Sequence, residues 1–130
     1  MSHALIEERA VAILGRRASG TLALDELLAE LADADCAIAL ADVIAERGQL
    51  RADLVRRALD CESDEPSSVI CRAAGFSMNS YSAVLRMRRR RSRGIDNPPA
   101  FALTFFSGLS RVAAERALAR VLSDLVRQTV

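Results

Sequence analysis

Apolar side chains recur every three or four residues along almost the whole chain, and no stretch between turn signals alternates with period two. This pattern is typical of amphipathic helices that each bury one face, and it excludes a sheet protein. Gly (6) and Pro (3) are few among the 130 residues, which also favours helices. We therefore expect one all-α domain over residues 1–130, with about eight short amphipathic helices in HEAT-like hairpins or an irregular helical bundle.

Turn and capping residues divide this pattern. Gly48 ends the third helix, and Pro66 suits the first turn of the fifth because its missing N–H would be unpaired there anyway. Gly75 lies just past the end of the fifth helix, and Ser77 and Ser110 are placed to cap the sixth and the last. The third helix is apolar on more than one side and is expected to lie centrally. The predicted helices cover about 4–18, 24–31, 36–47, 51–61, 66–74, 78–91, 101–108 and 111–128, with a flexible linker at 92–100.

The net charge of +1 conceals a strong asymmetry between the two halves of the chain. Residues 1–65 contain 14 acids and 7 arginines, whereas residues 66–130 contain 3 acids and 11 arginines, so the halves carry about −7 and +8. Every basic residue is arginine. Six of them fall within eight residues at the end of the sixth helix: Arg86, Arg88, Arg89, Arg90, Arg91 and Arg93.

This arginine run has three interpretations. Cationic side chains complement the dipole at a helix C-terminus, where they either stay solvated or fold back onto acids such as Asp60, Glu62 and Asp64. They also suit an acidic protein partner or an anionic membrane surface. The third interpretation is contact with nucleic acid, in which arginines neutralise phosphates and release counterions.

The nucleic-acid interpretation depends on the predicted helices at 66–93. Their tight turn at Gly75 is similar to that of a helix-turn-helix, although Tyr81 stands where such motifs place Val or Ile. The second helix would then lie in the major groove. The side chains predicted to contact the anion or nucleic acid are Asn79, Ser82, Arg86, Arg89, Arg90 and Arg93.

Three phenylalanines form a cluster after Pro98 and Pro99. Such a cluster belongs either to the core or to an interface, and a short aromatic helix next to a long alanine-containing helix suits docking on a second copy of the chain. The predicted interface residues, and with them a predicted homodimer, are Phe101, Phe105 and Phe106.

The sequence contains few residues of the types that usually catalyse reactions or bind metals. His3 is the only histidine in the sequence and lies near the N-terminus, which excludes a catalytic triad and a multi-histidine metal site. Cys36, Cys61 and Cys71 match no zinc-binding spacing and are expected to be buried, reduced thiols. We therefore expect no catalytic residues, no cofactor and no metal. No apolar stretch is long enough to span a bilayer, and the chain is expected to be a cytoplasmic bacterial protein.

Three segments carry a family resemblance: Arg47–Leu59, Val69–Arg88 and Leu109–Leu118. They resemble an alphaproteobacterial family of uncharacterised helical-repeat proteins, domain of unknown function 2336, over roughly residues 37–121. The resemblance implies a HEAT-like stack of helix hairpins, without an established activity or catalytic residues.

These observations favour a non-catalytic protein-interaction or scaffolding module, with a regulatory role and an unknown protein partner. The alternative is a regulator that binds nucleic acid through the helix-turn-helix-like hairpin at 66–93.

Overall fold

The computed structural model describes residues 3–18, 23–93 and 100–128. Within these ranges the chain forms eight α-helices and no strand, which confirms the all-α prediction. The helices are α1 (His3–Ala18), α2 (Leu24–Asp33), α3 (Ala37–Gly48), α4 (Ala52–Asp60), α5 (Glu65–Ala73), α6 (Met78–Arg93), α7 (Ala100–Gly108) and α8 (Arg111–Arg127).

The helices form an irregular bundle. The most extensive contacts join α2 with α6, α5 with α8, and α3 with α4, and of these only the last pair is consecutive in the chain. Helix α1 packs on α2, while α7 contacts both α5 and α6. The fold therefore depends on contacts between helices that are far apart in the sequence.

Helix α6 lies at the centre of this bundle. The aromatic ring of Tyr81 and the side chains of Val84, Leu85 and Met87 are fully buried on it. Helix α3 lies nearer the surface than predicted, because the side chain of Ile38 on its second apolar side is 56% exposed. The sequence prediction that α3 is central is thus wrong for one of its two apolar sides.

Gly75 and Gly48 were both predicted to end a helix, and the two glycines do so in different ways. Gly75 has a φ of +86° just past α5, and the N–H of Phe76 donates to the carbonyl of Cys71 at 3.0 Å, as expected for a glycine-terminated helix. At the end of α3, however, the left-handed position is Gln49, with a φ of 56°, whereas Gly48 is the last helical residue. A Cβ on Gly48 would lie 3.2 Å from a methyl carbon of Leu50, so this glycine permits a close approach.

The predicted linker at 92–100 is shorter than expected. Helix α6 continues through Ser92 and Arg93, and Ala100 begins α7. The rest of the predicted linker, residues 94–99, lies outside the described residues. The hydroxyl of Ser110 accepts from the N–H of Ala113 at 3.0 Å, so the predicted cap of α8 is confirmed. In the three described ranges, none of the helices combines the length and apolar character needed to cross a membrane.

Candidate functional site

Helix α6 holds the arginine run against the acidic half of the chain. The C-terminal half of the helix lies beside the end of α2 and the segment that joins α4 to α5, where several aspartates are found. The arginines of the run have different environments, since successive side chains project from different sides of a helix.

Arg88 is the most deeply buried charged side chain among those described, with 8% of the residue exposed. Its guanidinium donates to the carbonyls of Ala58 and Leu59, at 3.1 and 2.6 Å, at the C-terminal end of α4. It also donates to the carbonyls of Cys61 and Ser63, at 3.0 and 3.1 Å. A helix end leaves its last carbonyls without intrahelical partners, so Arg88 caps α4 from a helix 30 residues away in sequence.

Asp64 completes the binding of this guanidinium. One of its carboxylate oxygens lies 2.9 Å from Arg88 Nη2, and the other lies 3.4 Å from Arg89 Nη2. All three side chains are largely buried, with exposed fractions of 7% for Arg88, 12% for Asp64 and 15% for Arg89. The two arginines enclose this buried carboxylate from both sides and so fix the segment before α5.

The other described arginines of the run also meet carboxylates. Arg90 lies 2.9 Å from Asp35 and donates to the carbonyl of Ala32 at 2.8 Å, so it binds the turn after α2. Three more exposed contacts continue the pattern: Arg86 to Asp33 at 3.5 Å, Arg91 to Asp60 at 3.2 Å, and Arg120 of α8 to Glu65 at 3.2 Å. The charge asymmetry of the sequence is therefore largely satisfied inside one molecule.

The N-terminal end of α6 is bound to α2 by Asp25. Its carboxylate accepts from the buried Ser80 hydroxyl at 2.6 Å and from the backbone N–H of Ser77 at 3.1 Å. Partial burial by itself would raise the pKa of Asp25, but the hydrogen bonds from Ser80 and Ser77 outweigh it and hold the pKa below its ordinary value. Ser77 also caps α6 as predicted, because its hydroxyl accepts from the N–H of Ser80 at 3.4 Å.

Tyr81 of α6 connects this helix to α5 and α7. Its ring stacks on Phe106 with centroids 4.3 Å apart, and its hydroxyl is hydrogen-bonded to the hydroxyls of Ser67 and Ser68 in the first turns of α5. Burial raises the pKa of Tyr81 to about 12. The residue that departs from the helix-turn-helix pattern is thus a core residue with a satisfied polar group.

The residues predicted to contact nucleic acid all belong to α6. Asn79, Ser82, Arg86, Arg89 and Arg90 lie along one stripe of α6, as the helical period requires. The side chain of Asn79 is exposed and that of Ser82 is half-buried, whereas the three guanidiniums bind carboxylates. The side chain of Arg93 lies outside the described part of the structure.

The predicted aromatic interface divides into two parts. Phe101 is 71% exposed and Phe105 is 43% exposed, so both stay on the surface of α7. Phe106 is fully buried between Tyr81 and the guanidinium of Arg72, which lies 4.0 Å from the ring centroid. Assigning Phe106 to an interface is therefore wrong, because its position on α7 points toward α5 and α6.

A second apolar surface was not predicted. Helices α1 and α3 form a groove of about 490 Å³, lined by the exposed side chains of Val11, Leu14 and Ile38. The available signal was the apolar character of α3 on more than one side, from which central burial was predicted. We call this surface the α1/α3 groove, and we call the exposed side of α7 with Phe101 and Phe105 the α7 face.

The described residues contain no group of three or more His, Cys, Asp and Glu side chains that could hold a metal ion. Cys36 and Cys71 are buried as predicted, whereas Cys61 is only half-buried. Burial raises the pKa of all three thiols, that of Cys71 to about 12, which disfavours the nucleophilic thiolate. The side chain of His3 lies outside the described residues.

Comparison of the chain with models of protein families, with curated proteins and with solved structures finds no match.

Proposed function

We propose that this chain is a non-catalytic protein-interaction or scaffolding module. The observation that carries the proposal is the exposure of large apolar side chains at two places, the α1/α3 groove and the α7 face. Contiguous exposed apolar surface on a small domain is the usual mark of a protein contact, because covering it removes an unfavourable exposure of about 25 cal/mol per Å².

The arginine run supports the same proposal indirectly. Arg88, Arg89 and Arg90 bind carboxylates and carbonyls of their own chain, so an external acidic partner would have to compete with contacts that are already made. The apolar side chains of the two surfaces, in contrast, are not covered by any of the described residues. We further propose a cytoplasmic location and action without cofactor, metal or catalysis, and the resemblance to domain of unknown function 2336 stays a prediction.

Proximity cross-linking in the cell of origin tests the proposal. The double variants V11D/I38D and F101D/F105D place charges on the two surfaces, and V126D is a matched control because Val126 is 45% exposed at the far end of α8. We expect at least one double variant to lose specific cross-links that the wild type and V126D retain. The proposal fails if folded forms of all four proteins give the same cross-links.

The second candidate function is a nucleic-acid-binding regulator. The observation in its favour is that Asn79, Ser82, Arg86, Arg89 and Arg90 share one stripe of α6. Fluorescence anisotropy of a labelled mixed-sequence DNA duplex, at about 50 and 200 mM salt, distinguishes the two functions because phosphate contacts lose affinity steeply with salt. Saturable, salt-sensitive binding that is weakened by R86E and by N79E would favour this candidate, and no binding at the lower salt concentration would exclude it.

A further inference from the structure

Two arginines from distant helices converge on the turn between α5 and α6. A Cβ placed on Gly75 would lie 3.3 Å from Nη1 of Arg111 in α8 and 3.5 Å from Nη2 of Arg47 in α3. Both nitrogens therefore lie within 3.5 Å of one point that the glycine leaves empty. Like charges this close repel each other, and an anion bound between them would remove the repulsion.

Both guanidiniums are fixed by contacts that leave their outer nitrogens free. The Nε–H of Arg47 donates to the carbonyl of Ala74 at 2.9 Å, and the guanidinium carbon lies 5.9 Å from the centre of the Phe76 ring. Arg111 is held by an ion pair within α8, between its Nε and a carboxylate oxygen of Glu115 at 3.2 Å. Since both contacts use Nε, the Nη N–H groups of the two guanidiniums make no hydrogen bond with any residue that the structure describes.

The acidic side chains nearby leave these donors free. Arg47 forms no ion pair with a residue in the described ranges. Its charge contributes to the lowered pKa of Asp25, but that carboxylate accepts its hydrogen bonds from Ser80 and Ser77. The arginine run is different, because carboxylates of the chain lie directly against Arg88, Arg89 and Arg90. Arg47 and Arg111 thus keep hydrogen-bond donors for an external anion.

The helix ends around Gly75 also favour a negative charge. Helix α6 begins at Met78, three residues after Gly75, and α8 begins at Arg111 itself. The first N–H groups of a helix carry a partial positive charge, which adds to that of the guanidiniums. The C-terminal end of α5 has the opposite effect, but Arg47 offsets it by donating to the carbonyl of Ala74.

We propose that Arg47 and Arg111 bind a phosphate group between them, over Gly75. A phosphate directs its oxygens to several sides and carries nearly two negative charges, so it accepts hydrogen bonds from guanidiniums that belong to different helices. A carboxylate, in contrast, is matched by two parallel N–H groups of a single guanidinium. The ligand is either the free phosphate ion or a small phosphate monoester. The site uses no residue of the α1/α3 groove or the α7 face, so it goes beyond the proposed function.

Titration of the isotope-labelled full chain with inorganic phosphate, followed by nuclear magnetic resonance, tests the proposal. We expect the amide signal of Gly75 and the Nε–H signals of Arg47 and Arg111 to shift together. The shifts should saturate below about 10 mM phosphate, whereas sodium chloride at the same ionic strength should leave these signals in place.

Variants locate the binding. R47Q and R111Q should each weaken it at least tenfold, because each removes charge-assisted hydrogen bonds. R116Q is the matched control, since Arg116 is an exposed arginine that lies five residues after Arg111 and therefore on another side of α8. It should bind phosphate like the wild type. E115Q should tighten binding, because Glu115 then no longer attracts the guanidinium of Arg111.

Three results would overturn the proposal. Shifts that do not saturate, or that sodium chloride reproduces, indicate ionic screening alone. Equal weakening by R116Q and R111Q indicates attraction by the overall charge. R111Q decides the case if R47Q, which also loses the contact with Ala74, does not fold. Tighter binding of glycerol phosphate than of inorganic phosphate would identify a monoester as the ligand, and otherwise the ligand is the free ion. Cross-links that depend on the apolar surfaces should persist in R111Q, so the proposed function is tested separately.

Discussion

The arginine-rich end of α6 and the α7 face lie close together in the sequence, yet the fold treats them in opposite ways. The six arginines are the most conspicuous charged feature of the chain, and those whose side chains are described bind its own acids and carbonyls. Helix α7 carries no charge and buries Phe106, but it leaves Phe101 and Phe105 exposed. A cluster of charges can thus be used for folding, while an uncharged helix keeps two large apolar side chains exposed.

Replacing Arg88 should give the largest effect. The substitution Arg88→Met removes five hydrogen bonds and leaves the buried Asp64 with one partner fewer, so we expect a loss of about 3–5 kcal/mol in the free energy of unfolding. Urea denaturation followed by circular dichroism measures it. Arg91→Met is the matched control, because Arg91 makes an exposed pair with Asp60 that is worth about 0–1 kcal/mol. Equal losses for both variants would contradict the internal role of the run.

Two phenylalanines of α7 should respond differently to the same substitution. Phe106→Ala empties a fully buried site and should lower the free energy of unfolding by about 3–5 kcal/mol. Phe101→Ala should change it by less than about 0.5 kcal/mol, because the side chain is exposed, and should instead weaken the cross-links that the proposed function assigns to the α7 face. Thermal unfolding and proximity cross-linking of both variants provide the measurements. A large loss of stability for Phe101→Ala would mean that the α7 face serves the fold.

A smaller effect is expected at the other end of α6. Asp25→Ala removes the carboxylate that binds Ser77 and Ser80 and should cost about 1 kcal/mol at neutral pH. Since the fold lowers the pKa of Asp25, its contribution is fully present above the unfolded value of 3.8 and is lost as the pH falls through the folded pKa. Wild type and variant should therefore converge in stability in acid, as measured by denaturant unfolding at several pH values. A difference that persists unchanged at about pH 2 would show that the charge of Asp25 is not the cause.

The smallest effect concerns Arg86, whose pair with Asp33 is partly exposed at 3.5 Å. Arg86→Gln should lower the free energy of unfolding by less than about 1 kcal/mol, and the difference should shrink in high salt because exposed pairs are screened. Denaturation at low and high salt checks this. A loss as large as that of Arg88→Met would indicate that the whole run acts as one buried network.

Much of the helical architecture could be predicted from the sequence. Apolar spacing gave the number and order of the helices, and Pro66, Gly75 and Ser110 marked ends that the structure confirms. These features are local, since the helical period and the capping residues act within a few positions of one another. Gly48 was the exception, because its role depends on the approach of Leu50 after the helix has ended.

The sites were harder to predict because they depend on contacts distant in sequence. Arg88 follows Tyr81 by seven residues and Leu85 by three, so the helical period places it on the buried side of α6. Its charge, however, led to the prediction that its side chain is exposed. Ile38 shows the opposite error, since its apolar character pointed to the core. Which apolar side of α3 is covered depends on where α2, α4 and α5 pack against it, and the spacing of a single helix does not contain that information.

The cap that Arg88 places on α4 also bears on how this protein is made. During synthesis, the carbonyls at the end of α4 and the carboxylate of Asp64 emerge well before Arg88, which follows Asp64 by 24 residues. Asp25 of α2 likewise emerges well before its partner Ser80 of α6, which follows it by 55 residues. Contacts of such long range are slow to form. We therefore expect a nascent chain that ends before Met78 to stay unfolded on the ribosome, and the domain to fold only when α6 has left the exit tunnel.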